Sequence, residues 1–274
     1  MANPTESSPA VLQNKTAAVL LWVLSCILAV VFGLELFSLF QPVKFAPELD
    51  TAFLLLAAAS TLAALWRRLP LQNVALVAGG IVLIGSALSA LGARTGLPFG
   101  PFVYAAGSGP LMLKTLPWST PLVWLLIVLN SRGMARLMLR PWRKNKSYGY
   151  RVIGLCAVLV LLFDLALEPF AFRVKHLWLW LPTTLPLTWQ GAPILNFFAW
   201  GLITVLILLF ITPALIVKKP RSKMGPEFHS LCLWLGAVAL CATGCATHGL
   251  WMATTVDAVI GIGAAIFAIR GAMW

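Results

Sequence analysis

The sequence predicts an all-α, polytopic membrane protein of about eight transmembrane helices, with both termini in the cytoplasm. Three observations carry this expectation. Of the 274 residues, 60% are hydrophobic and 10% charged, and the mean hydropathy is +0.91, whereas a soluble domain carries about 25% charged residues. The apolar residues gather into eight runs, most near the roughly 20 residues that a span requires. The formal net charge is +12, yet the Lys and Arg residues sit in short loops between those runs. That is the pattern of membrane topology and of contact with anionic lipid, and it argues against a nucleic-acid partner.

Taken in order, residues 1–15 are polar, contain Pro4 and Pro9, and read as a disordered cytoplasmic tail. Residues 16–274 are then expected to form a single helical transmembrane domain. The first run, Thr16 to Phe40, exceeds the roughly 7–15 residues of a signal-peptide core. Val23-Leu24-Ser25-Cys26 faintly resembles a lipoprotein cleavage box, but hydrophobicity continues straight through it. Seven further runs lie near 51–66, 71–92, 118–139, 150–170, 192–217, 229–247 and 250–270. The shortest is 51–66, and the sequence leaves open whether it fully spans. No internal repeat is visible.

With the N-terminus inside, every Lys and Arg except Lys44, Arg94, Lys114, Arg173 and Lys175 faces the cytoplasm, 15 of the 20. That asymmetry sets the orientation and predicts a multi-pass protein of the inner cell membrane. The five cysteines, Cys26, Cys156, Cys232, Cys241 and Cys245, all fall in apolar runs and read as small buried residues.

Four acids lie inside the runs: Glu35, Asp164, Glu168 and Asp257. The orientation puts all four in the outer half of the membrane, which predicts one shared polar pocket. Carboxylates at bilayer depth are costly and rare, hence functional candidates. Asp164 and Glu168, four residues apart, share a helical face at about 6 Å between Cβ atoms, on a helix expected to end at Pro169. Two carboxylates make a thin cage for Mg²⁺, and no second acid-rich motif supports diphosphate chemistry. Structural hydrogen bonding between helices is the plainer role for the pair. Cys241, Cys245 and His248 recur at spacings of four and three, but no other Cys or His completes a ligand set, so no metal is expected. His176 and His229 receive no role.

Two loops flank the acids. Gly92 to Trp124 is rich in Gly, Pro and aromatics and poor in charge. It reads either as a solvated loop with an interfacial aromatic belt or as a wall over the carboxylates, since irregular backbone at a membrane is tolerated where it lines a cavity. The loop after Pro169 carries Trp178, Trp180 and Trp189. Each Trp alone suits the interface, but three beside an acidic pair suit an apolar or cationic species.

These residues resemble a known family, the membrane carotenoid hydratases of the bisanhydrobacterioruberin hydratase type. One block is Pro98-Phe99-Gly100 with Tyr104 and Gly109, continuing to Pro117, Pro121 and Trp124. The other is Asp164, Glu168-Pro169, Trp178 and Trp180, then Gly191, Pro193, Asn196 and Trp200. Together they span residues 92–201. The second acid is Glu where Asp is the more usual residue, and Arg173 to His176 is unusually basic for that loop.

The resemblance implies a polytopic enzyme that adds water across the terminal 1,2 (1′,2′) double bond of an acyclic carotenoid end. The expected catalytic residues are Asp164 and Glu168, with Asp164, the deeper, as proton donor. Phe99, Tyr104, Trp124, Trp178, Trp180, Asn196 and Trp200 are expected to bind substrate, and Glu35 and Asp257 are further candidate pocket acids. The chemistry suits these residues. Markovnikov hydration needs a carboxylic acid that keeps its proton near neutral pH, which two carboxyl groups set together out of water supply. A base for the attacking water is also needed, and aromatic faces beside the tertiary cation. No cofactor is required. Expected partners are the lipid bilayer, the carotenoid and other enzymes of its pathway. Two other readings stand beside this one: a proton-coupled transporter of an apolar or amphipathic molecule, disfavoured by the absence of an inverted repeat, and a non-catalytic membrane assembly subunit.

Overall fold

The computed structural model describes residues 9–41, 46–182, 187–216 and 225–274. Eight helices run along one bundle: α1 (Pro9–Ser38), α2 (Ala46–Trp66), α3 (Leu71–Thr95), α4 (Thr120–Met138), α5 (Tyr148–Pro169), α6 (Ile194–Leu215), α7 (His229–Thr247) and α8 (Trp251–Ala272). Seven are long and apolar enough to cross a membrane, and large apolar side chains such as Leu83, Phe198 and Phe210 stand exposed on their outer faces. Such faces need lipid around them. The protein is a helical, multi-pass membrane protein.

Two boundaries differ from expectation. Pro9 to Lys15 belongs to α1, so that part of the expected tail is helical, while residues 1–8 lie outside the described residues. The uncertain second run gains a first turn, Ala46 to Asp50, and reaches 21 residues. At 1.5 Å per residue that spans about 30 Å, the thickness of a bilayer core. Its acidic start hides it from hydropathy, although Glu48 in the first turn suits the positive end of the helix dipole.

The eighth helix, α4, holds the centre. It touches α2, α3, α5, α7 and α8, and Trp124, Val128, Ser131, Met134 and Ala135 on it are fully buried. Because its neighbours are protein and not lipid, it can carry Asn130 and Ser131, which hold side chains of α2 and α7. Asn130 Nδ2 donates to Thr61 Oγ1 at 3.1 Å, and Trp234 Nε1 donates to Ser131 Oγ at 3.1 Å.

The basic loops collect at one end. There Gln13 Nε2 donates to the Leu69 carbonyl at 3.1 Å, Arg68 pairs with Glu227 at 2.6 Å, and Arg140 Nη1 donates to the Ala272 carbonyl at 2.9 Å. The start of α1 and the end of α8 therefore lie at the same end of the bundle as the α2–α3 and α4–α5 links. Lys218, Lys219, Arg221 and Lys223, and likewise Lys44, lie outside the described residues.

The opposite end is capped by three short antiparallel ladders that the sequence does not predict. Strand β1 (Phe102–Tyr104) pairs with β4 (Trp178–Trp180), β2 (Leu111–Met112) with β3 (Leu116–Pro117), and β5 (Thr188–Trp189) with β6 (Ala192–Pro193). The first ladder joins the α3–α4 and α5–α6 loops, extended by Leu181 N–H donating to the Pro101 carbonyl and Ala105 N–H to the Leu177 carbonyl, both at 3.0 Å. Gly100, at φ +113°, lets the chain turn where a Cβ would come 2.9 Å from the ring of Pro193. These loops form a folded roof.

Candidate active site

The site begins with a defect in α5. Pro169 has no N–H to donate to the Leu165 carbonyl four residues earlier. Trp189 on β5 fills that role, its indole N–H donating to the same carbonyl at 3.1 Å. Beyond Pro169 the helix does not stop, as expected from the proline, but widens into a π-helical turn, Phe170–Val174. The Lys175 N–H closes it onto the Phe170 carbonyl at 2.9 Å. Such turns are frequent at functional sites. This one delivers the chain to β4, directly over the end of α5.

On β4 the period of two puts Trp178 and Trp180 on one face, while Leu179 points away and is exposed. Both indole N–H groups donate to a single oxygen, Glu168 Oε1, that of Trp178 at 2.7 Å. The other oxygen, Oε2, lies 3.5 Å from Asn196 Nδ2, which donates to Asp164 Oδ2 at 2.7 Å. Asn196 thus bridges the acids from the first turn of α6, which Pro193 starts. Asp164, Glu168 and Asn196 are all buried, and Asp164 Oδ1 has no hydrogen-bond partner among the described residues.

A cavity of about 620 Å³ lies against this array, between α2, α4, α5 and α7 and beneath the roof. Glu168, Asn196, Trp178, Trp180 and Trp200 reach its wall, as do Phe99 and Tyr104. Asp164 does not: it stands behind Asn196. Phe102, which sequence reasoning missed, faces Trp180 across the ladder at 5.5 Å between ring centroids and Tyr104 at 5.2 Å edge-on. The signal was present as alternation, Phe-Val-Tyr against Trp-Leu-Trp, but three residues are too few to reveal a strand. Burial pushes the Tyr104 phenol up to about 12, against a lowering contact with Thr120, so it remains a neutral hydroxyl.

Two further expectations need correction. Trp124 does not line the cavity. It is fully buried one layer behind, stacked on Trp200 at 4.1 Å and 23° and donating to Ser89 Oγ at 2.8 Å. Gly85 makes room for it, since a Cβ there would come within 2.5 Å of its ring. The four intramembrane acids do not share one pocket either. Asp257 is buried in α8 away from the cavity wall, and Glu35 on α1 sits behind Lys175, 3.7 Å from its Nζ. Equal depth on different helices does not bring side chains together, because each helix also has a rotation about its own axis.

Cys241 and Cys245 are buried on α7, and His248 Nδ1 lies 3.0 Å from the Gly244 carbonyl. Among the described residues no three His, Cys, Asp or Glu side chains converge to hold a metal.

Of the Asp164–Glu168 pair, the arrangement places one carboxyl group, that of Glu168, at the wall of an aromatic cavity, oriented by two indoles and an amide. Comparison with known proteins points the same way. Over 140 residues, 50% of the chain, it is 32% identical to bisanhydrobacterioruberin hydratase of Haloarcula japonica. The match covers 44% of that relative, so the chain spans less than half of its length in alignment. No solved structure matches. Residues 49–264 match the carotenoid biosynthesis protein family, and the chain belongs to that family.

Proposed function

We propose that this protein is a hydratase that adds water to the terminal 1,2 (1′,2′) double bond of an acyclic carotenoid end, giving a tertiary alcohol. The observation that carries the reading is Glu168 at the wall of the aromatic cavity, with one oxygen held by two indole N–H groups and the other facing Asn196. The hydratase relative and the family support the same chemistry.

In the proposed reaction the Glu168 carboxyl donates its proton from Oε2 to the CH carbon of the alkene. The π electrons form the new C–H bond and leave a tertiary cation on the dimethyl-substituted carbon. Water attacks that carbon, and its surplus proton returns to Glu168, restoring the acid. Meanwhile the Trp178 and Trp180 N–H groups hold the carboxylate, and such preorganised donors are a main source of rate enhancement. The faces of Trp180, Trp200 and Phe102 steady the cation without attacking it. Glu168, not Asp164, is the proton donor in this scheme, because, of these two, only Glu168 reaches the cavity. Asp164 positions Asn196. The proposed scheme uses no cofactor.

The test is purified protein in detergent with an acyclic carotene and heavy-oxygen water as the only other reactant. The expected product is a tertiary alcohol that carries the label. Loss of turnover on strict exclusion of metal, reductant or oxygen overturns the scheme.

A further inference from the structure

The cavity has a second polar feature that a hydrocarbon substrate does not explain. Besides Glu168 and Asn196, its wall includes Asp50 from the first turn of α2 and Lys175 from the end of the π turn. Lys175 Nζ donates to Asp50 Oδ1 at 2.6 Å and lies 3.7 Å from Glu35 Oε2 on α1. The three side chains form a gradient from solvent inward: Asp50 is 42% exposed, Lys175 16% and Glu35 1%. Beside them the wall continues through Pro47, Gly107 and Pro110, all exposed. The cavity therefore opens at the roof end, and an ion pair flanks the opening.

An ion pair on a largely apolar wall costs desolvation with no return from a polyene. It suits instead the other reactant. A separation of 3.7 Å between a buried carboxylate and an ammonium is wide enough to ask for a bridging water. Neither Glu35 oxygen has a hydrogen-bond partner among the described residues, and a water needs two or more polar partners to sit in such a place. We infer that Asp50, Lys175 and Glu35 form a water-binding entry site through which the cavity draws the water that the reaction consumes. This rests on the hydration reading and adds to it a separate entrance for water. The basic stretch Arg173 to His176, left without a role by the sequence, thereby gains one at Lys175. Lys175 and Asp50 act as positioning residues and touch neither the alkene nor Glu168.

The experiment compares the wild type with a doubly apolar mouth, Asp50→Leu with Lys175→Met, and with an exchanged pair, Asp50→Lys with Lys175→Asp. Carotene binding is read by quenching of the cavity tryptophans and hydration by product yield per folded protein. The apolar mouth is expected to lower kcat about tenfold or more with KM for the carotene unchanged, and to make the rate fall more steeply as osmolyte lowers water activity. The exchanged pair keeps a polar mouth and recovers most of the rate. A wild-type rate in the apolar variant overturns the inference, as does parallel loss of binding and rate, which marks a purely structural clasp. A second measurement does not depend on hydration. In a chain with its five native cysteines replaced by Ala, Thr51→Cys on the cavity wall should react with a charged, membrane-impermeant thiol reagent as fast as Ala106→Cys on the exposed roof. An unreactive Thr51→Cys overturns the aqueous entrance. If labelling occurs but no acyclic carotene is hydrated, the hydratase reading fails and the entrance stands.

Discussion

Replacing Glu168 by Gln and, separately, Asp164 by Asn tests the proposed division of labour. In Glu168→Gln the new amide cannot satisfy its neighbours in either orientation. With its carbonyl toward Trp178 and Trp180, its NH₂ faces Asn196 Nδ2, which lies 3.5 Å from the present Oε2. With the amide flipped, the NH₂ meets the two indole N–H groups, now 2.7 Å away in the case of Trp178. Either way donors face donors, at about 1–3 kcal/mol of lost stability. The larger effect is on turnover. Removing a general acid is typically worth about 10²–10⁴-fold, or about 3–5 kcal/mol of barrier. Asp164→Asn keeps a carbonyl for Asn196 Nδ2 and alters a side chain that does not face the cavity, so its loss of turnover is expected to stay within about tenfold. The assay is alcohol formed per unit of monodisperse protein, with thermal stability measured alongside. If Asp164→Asn abolishes product while Glu168→Gln retains it, the roles are reversed. If both variants hydrate at near wild-type rates, the pair is structural.

Three other outcomes are expected. Trp189→Phe leaves the Leu165 carbonyl without its donor and should lower stability by about 1–2 kcal/mol, seen as a reduced Tm, with a smaller change in rate than Glu168→Gln. Trp124→Ala opens a hole behind Trp200 and should cost about 3–5 kcal/mol, whereas Trp124→Phe, which keeps a ring against Trp200, should largely retain fold and turnover. Reporter fusions after Arg143 should be cytoplasmic and those near Gly107 external, an orientation that an external signal at Arg143 refutes.

The helices were legible because each needed only a run of apolar residues, and the pairing of Asp164 with Glu168 because four residues in a helix suffice to align two side chains. The roof was not. Its ladders are two or three residues long, and β1 and β4 are brought together only by the packing of α4 and α5, which lie between them in the chain. For the same reason Phe102 escaped notice and Lys175 was read only as part of a basic stretch, since their places on the cavity wall depend on pairing and on the π turn. Trp124 was read as a substrate-binding aromatic, whereas it forms the buried layer behind Trp200. Burial can be read from a sequence, whereas the order in which rings are stacked cannot.

The polarity of α4 has a consequence for how the protein is made. A segment with Asn130 and Ser131 near its middle and Arg132 and Arg136 toward its C-terminal end partitions poorly into lipid alone, since an Arg costs about 2.5–3.5 kcal/mol at the centre of an isolated span and less toward its end. Yet it becomes the hub that five other helices surround. α4 is therefore expected to stay at the insertion machinery during synthesis until partners shield it, which crosslinking of stalled nascent chains would show. α3 is available before it, whereas α5 and α7 emerge later. Substitutions that weaken the α3–α4 contact, such as a bulky residue at Gly85 against Trp124, should be met first by the cell's membrane quality control, before any effect on the chemistry is seen.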